Sequence, residues 1–145
     1  MAVPGTTTTA SQRLCAAIAA RDIDAISAQF ADDYVNETPA HPSRGFQGAA
    51  QVRQNWTRIL AAVQDLRVEL VRQAVESDVE WAEWSFTGTK ADGSPFAMAG
   101  VVIVGVGDGV IRWARFYLEP VDDETGPVSP ESTVAAAVSQ HLGTS

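Results

Sequence analysis

Cysteine is nearly missing from this 145-residue chain. Cys15 is the single one, so no disulfide can form within one copy. It sits in the apolar run "LCAAIAA" and is expected to be a core thiol rather than a nucleophile. Long hydrophobic runs are absent as well, and no segment has the length to span a bilayer. The start, "MAVPGTTTTASQ", has neither the basic segment nor the apolar stretch of a secretory signal, so a cytoplasmic protein is the expectation. Basic residues are few: 10 Lys and Arg stand against 18 Asp and Glu, a formal net charge of −8. That balance argues against non-specific binding to nucleic acid or to an anionic membrane. Histidine occurs only at His41 and His141, neither with a ligand at useful spacing, so no metal is expected. No Gly-rich phosphate loop precedes a helix, since "GVGDG" lies between strands, and there is no nucleophile elbow. No cofactor is expected.

What is present divides into two kinds of periodicity. "SQRLCAAIAARD" puts Leu14, Cys15, Ile18 and Ala19 at helical spacing with Ser11 as a candidate cap, and "IDAISAQF" makes a second, shorter helix behind Asp22 or Asp24. "ADDYVNETPA" reads as a short strand entering a loop, because Pro39 and Pro42 exclude a continuing helix. "AAQVRQNWTRILAAV" follows as a strong helix with Val52, Trp56, Ile59, Leu60 and Val63 on one face. The period then drops to two. "LRVELVRQAVES", "VEWAEWSFTGT", "FAMAGVVIVGV" and "VIRWARFYLEP" alternate as strands. "KADGSP" carries the Asp-Gly pair of a tight hairpin, and Asp108-Gly109 forms a second such turn. Gly100 and Gly105 within the third of these strands predict bends or close approach to something packed above.

Helices, a short strand, a helix and then an antiparallel meander describe an α+β domain whose sheet wraps helices and leaves room for a cavity. The expected organisation is a flexible lead over residues 1–10, one domain over 11–120, and an acidic linker with a short helix over 121–145.

The order resembles the nuclear-transport-factor-2-like superfamily, and within it the SnoaL-like, ketosteroid-isomerase-like and limonene-epoxide-hydrolase-like proteins. "FADDYVNETP", "GFQGAAQVRQNW", "QDLRVEL", "EWSFTGT" and "DGVIRWARFYLEP" carry the resemblance, which covers roughly residues 11–120. It implies a cone-shaped curved antiparallel sheet around N-terminal helices, an internal apolar pocket and a homodimer. Matched on "FADD", Thr38 stands where ketosteroid isomerases place their proton-abstracting aspartate. "AMAGVVIV" replaces the stretch where they keep a protonated aspartate, so steroid isomerisation is not expected. In the epoxide-hydrolase register, Glu83, Ser85 and Phe116 occupy the places of the charged catalytic trio, and Asn36 and Thr38 those that hold a nucleophilic water. The trio is not preserved.

On that register Glu83 faces the pocket with Trp81 and Ser85, because alternate strand residues share a face. A carboxylate among aromatics is desolvated and suited to proton exchange. The expected catalytic residues are therefore Glu83, as general acid/base, with Asn36 and Thr38. Tyr34, His41, Trp56, Trp81, Ser85, Met98 and Phe116 are the expected substrate-binding residues. The other readings open at this point are an exposed Glu83, or one paired with Arg115 or Arg112, and plain core roles for the tryptophans. In the functional reading the chain is a cofactor-independent isomerase, cyclase, lyase or hydrolase acting on a small, mainly apolar molecule. The alternatives are a non-catalytic binding module for such a molecule and a dimerising interaction domain.

Overall fold

The computed structural model describes residues 8–122. The C-terminal helix expected from the sequence and most of the N-terminal lead lie outside the described residues. Three helices, α1 (Ala10–Ala19), α2 (Ile23–Ala28) and α3 (Ala49–Ala62), accompany six strands: β1 (Phe30–Glu37), β2 (Phe46–Gln47), β3 (Arg67–Glu76), β4 (Val79–Thr89), β5 (Pro95–Gly107) and β6 (Val110–Pro120). The strands form one curved, unclosed sheet in the order β2-β1-β6-β5-β4-β3. The β3 to β6 meander is antiparallel, as its short turns require. The β1–β6 pairing is parallel, because the chain between them makes a long crossover through α3 and the meander.

Local chemistry sets the helix ends. Thr9, not Ser11, caps α1: its hydroxyl accepts from the Gln12 N–H while the Gln12 side chain accepts from the Thr9 N–H, a reciprocal capping box. Ser11 has another task. Glu80 of β4 is buried, and its carboxylate accepts from the Ala10 N–H at 2.9 Å, the Ser11 N–H at 2.8 Å and the Ser11 hydroxyl at 2.7 Å. The two N–H groups are orphan donors of the first helical turn, so one buried carboxylate fastens α1 to the sheet. Asp22 caps α2 by accepting from the Ala25 N–H. At the other end of α3, the Arg21 guanidinium donates to the Leu60 carbonyl at 2.7 Å.

The core lies between the helices and the inner sheet face, with Leu14, Ile18, Ile26, Val52, Leu60, Trp84, Val104 and Ile111 buried. Gly105 is required where it stands: a Cβ there would lie 2.0 Å from the Trp113 indole nitrogen. Gly100, at φ 150°, would place a Cβ 2.0 Å from the Tyr117 carbonyl oxygen. Both positions are the close approaches that the sequence suggests. Cys15 is half-buried against the core, and that burial pushes its thiol above the usual range.

Candidate functional site

The inner face of the sheet and the helices enclose a cavity of about 300 Å³, at the lower end of ligand sites, which run from roughly 300 to 1,000 Å³. Its walls follow from periodicity. On α3, Val52, Asn55, Trp56 and Ile59 recur at i, i+3, i+4 and i+7 and line one side. Leu14 and Ile18 of α1 close the top. The sheet contributes every second residue: Trp84 and Phe86 from β4, Phe96, Met98, Val102 and Val104 from β5, and Ala114, Phe116 and Leu118 from β6. From β1 and the loop beyond it come Phe30, Tyr34, Asn36 and Thr38, followed by Arg44 and Phe46. Aromatic contacts stiffen this wall. Trp84 and Phe86 stack with centroids 5.7 Å apart, Trp56 meets Phe86 at 5.9 Å, and Phe30 meets Tyr34 edge-on at 4.7 Å.

The polar groups are few, and their orientations are set. The Tyr34 hydroxyl, 1% exposed, donates to the Asn36 carbonyl oxygen at 2.7 Å. Burial pushes the Tyr34 phenol well above its ordinary value, so it stays a protonated donor. With its oxygen engaged, the Asn36 amide has its NH₂ left to donate into the cavity. Asn55 is arranged the same way, its oxygen accepting from the Gln51 amide at 2.9 Å. No aspartate, glutamate, histidine, lysine or cysteine lines the cavity among the described residues. Nor do three or more His, Cys, Asp or Glu side chains converge there as metal ligands.

Glu83 is not in the cavity. It lies on the outer face of the sheet, with its side chain 44% exposed, and pairs with Arg72 at 3.3 Å. Trp81 and Ser85 share that face and leave the wall with it; Trp81 is 50% exposed. The cause is register. β4 pairs with β5 as Trp84↔Gly100 and Phe86↔Met98, so the inward side of Met98 carries Trp84 and Phe86 inward and turns their odd-numbered neighbours out. The acidic residue of β4 that does point inward is Glu80, three positions earlier, and α1 occupies it. His41 does not line the cavity either; its Nε2 lies 2.8 Å from a Glu119 carboxylate oxygen, tying the loop to β6. Tyr34, Asn36, Thr38, Trp56, Met98 and Phe116 do line it. Sequence reasoning missed Trp84, Phe86, Asn55 and Arg44. Asn55 was visible in principle, as a polar residue inside the apolar stripe of α3.

A curved sheet folded over helices to enclose an apolar cavity defines a class of α+β cone proteins. The chain belongs to the SnoaL-like domain family, whose model matches residues 11–116. No curated protein matches the chain by sequence. Among solved structures, it is similar to a Catenulispora acidiphila protein with a ketosteroid-isomerase-like fold, in complex with trimethylamine (19% identity, TM-score 0.66, 77% of this chain and 87% of that one). It is also similar to a Mycobacterium tuberculosis epoxide hydrolase of the limonene-epoxide-hydrolase-like type (19%, 0.65, 76% and 80%). A third similar structure is a Mycobacterium tuberculosis protein in complex with estradiol-17beta-hemisuccinate (24%, 0.64, 74% and 89%). At these identities the likeness is one of fold.

Proposed function

We propose that this SnoaL-like domain is a binding module that takes a small, mainly apolar organic molecule into its cavity and holds it without chemistry by its own residues. The observation that carries this is the make-up of the wall: apolar and aromatic side chains, a few fixed hydrogen-bond donors and, among the described residues, no carboxylate, histidine, lysine or cysteine to accept a proton. Glu83, the general acid/base that the sequence suggested, has no part in it, because its carboxylate is outside and ion-paired. The small molecules held by two of the similar structures support a ligand-binding role.

A second reading keeps catalysis. The buried Tyr34–Asn36 pair presents a donor as an oxyanion site does, and could polarise a carbonyl or epoxide oxygen whose proton acceptor comes from the substrate or from water. One experiment addresses both. Apolar ketones and epoxides are screened by thermal shift, and hits are recovered for mass and chromatographic analysis. The proposal expects hits that raise Tm, that are lost when Ala114→Phe fills the cavity, and that are recovered unchanged. Recovery of a converted product transfers the assignment to the second reading. Hits that survive Ala114→Phe remove the cavity from both.

The outer sheet face is assigned to a second copy of the chain. Trp81 and Tyr117 stand 50% and 41% exposed there, on the strands either side of β5, and no helix among the described residues covers them.

A further inference from the structure

The polar inventory of the cavity is one-sided. Asn36 and Asn55 each have the amide oxygen engaged, by Tyr34 and Gln51, and each leaves NH₂ as its unused function. Among the described residues, the single charged one lining the cavity is Arg44, which is exposed at its edge. In a chain of formal net charge −8, a lone cation beside an apolar cavity is unexpected from composition.

Arg44 is also unpaired among the described residues, where pairing was available. The loop that carries it runs from Glu37 to Phe46 and lies against β6. Glu37 is engaged by Arg115 at 3.2 Å, and Glu119 by His41 at 2.8 Å. Arg44 makes no ion pair or side-chain hydrogen bond among the described residues, although it ends the short 3₁₀ turn Pro42–Arg44 between these two pairs. Its place is held: the Arg44 N–H donates to the His41 carbonyl at 2.9 Å, Pro42 fixes the first residue of the turn, and the His41–Glu119 contact pins the loop. An arginine in that position presents a planar fork matched to a carboxylate.

We propose, on the basis of the binding reading above, that the cavity takes apolar molecules bearing a carboxylate, with the apolar body inside and the carboxylate held at the rim by Arg44. Asn55 and Asn36 are donors for a second acceptor deeper in the ligand. Arg44 is thus the specificity-determining residue of the site.

The test uses three probes with one aromatic body and different heads: 1-naphthylacetate, 1-naphthylacetamide and 2-(1-naphthyl)ethylamine, titrated calorimetrically into the full chain. The acetate is expected to bind about tenfold tighter than the amide, and the ammonium probe most weakly, because a charge-assisted fork is stronger than a neutral hydrogen bond. Arg44→Gln is expected to close the gap between acetate and amide, Arg44→Lys to retain part of it, and added salt to narrow it in the parent. Equal binding of the three probes, or a preference for the acetate that survives Arg44→Gln, overturns the carboxylate assignment and leaves the apolar binding site standing. Failure of all three to bind overturns both.

Discussion

Two glutamates three positions apart on one strand have opposite fates. Glu83 meets Arg72 in solvent, and an exposed pair of this kind contributes on the order of 0–1 kcal/mol. Glu83→Gln is therefore expected to change urea-denaturation stability by less than about 0.5 kcal/mol and to leave ligand affinity alone. A larger effect on either measurement would contradict the outward placement. Glu80 accepts three buried hydrogen bonds from the start of α1. Glu80→Ala strands those donors, each at about 1–3 kcal/mol, so a loss of roughly 3 kcal/mol or more is expected in the same assay. Asp65 supplies a pH signature. Its carboxylate accepts from the Thr89 N–H at 2.7 Å and the Thr89 hydroxyl at 3.0 Å, which holds its pKa below the ordinary aspartate value. A depressed folded-state pKa means stability present above the unfolded-state value and lost as pH falls through the folded one. Asp65→Asn is expected to flatten the fall in the urea midpoint across that acidic window; an unchanged profile would remove Asp65 from it.

At the scale of elements, what the sequence conceals is phase rather than presence. The three helices and the four-strand meander are evident from periods of 3.6 and 2. The short β2 is not, since two residues carry no period. The face of β4 depends on the length of one turn. A two-residue Asp92-Gly93 hairpin would pair Ala91 with Ser94, and by continuation Ser85 with Gly100, turning Trp81, Glu83 and Ser85 inward. In the structure the last pair is Thr89↔Pro95, and residues 90–94 form the connection. That one-residue change in register exchanges the two faces. The later Asp108-Gly109 turn is the tight one, with φ of 52° and 78°, and joins Gly107 to Val110. Much of the cavity wall on β1, α3, β5 and β6 was therefore accessible to pattern, whereas the β4 wall was not. Two tryptophan truncations test the assignment. Trp84, 4% exposed and stacked on Phe86, is expected to cost about 3–5 kcal/mol as Trp84→Ala. Trp81→Ala is expected to cost far less in a denaturation measurement made below the concentration of self-association. Comparable losses would restore the opposite phase.

For the whole molecule, the sheet separates two environments. Its concave side is closed by helices, while its convex side carries Trp81, Val101 and Tyr117 among the ion pairs Arg72–Glu83 and Arg115–Glu37. Exposed aromatic side chains interleaved with arginine are enriched in protein–protein interfaces. Sedimentation velocity is expected to give a dimer at micromolar concentration, and Trp81→Glu a monomer with an unchanged circular dichroism spectrum. A parent protein that sediments as a monomer throughout removes the assignment. Face association would also leave the cavity accessible, since its walls belong to the other side of the sheet.

The unclosed margin at β3 has a bearing on solubility. Among the described residues this strand ends the sheet, so half of its backbone donors and acceptors face no further strand, the condition under which strands recruit one another into fibrils. Arg67, Glu69, Arg72 and Glu76 are exposed along it, and its register breaks between Leu70 and Arg72. An incoming strand would face alternating charge and a backbone that falls out of step midway, which protects this margin against runaway stacking.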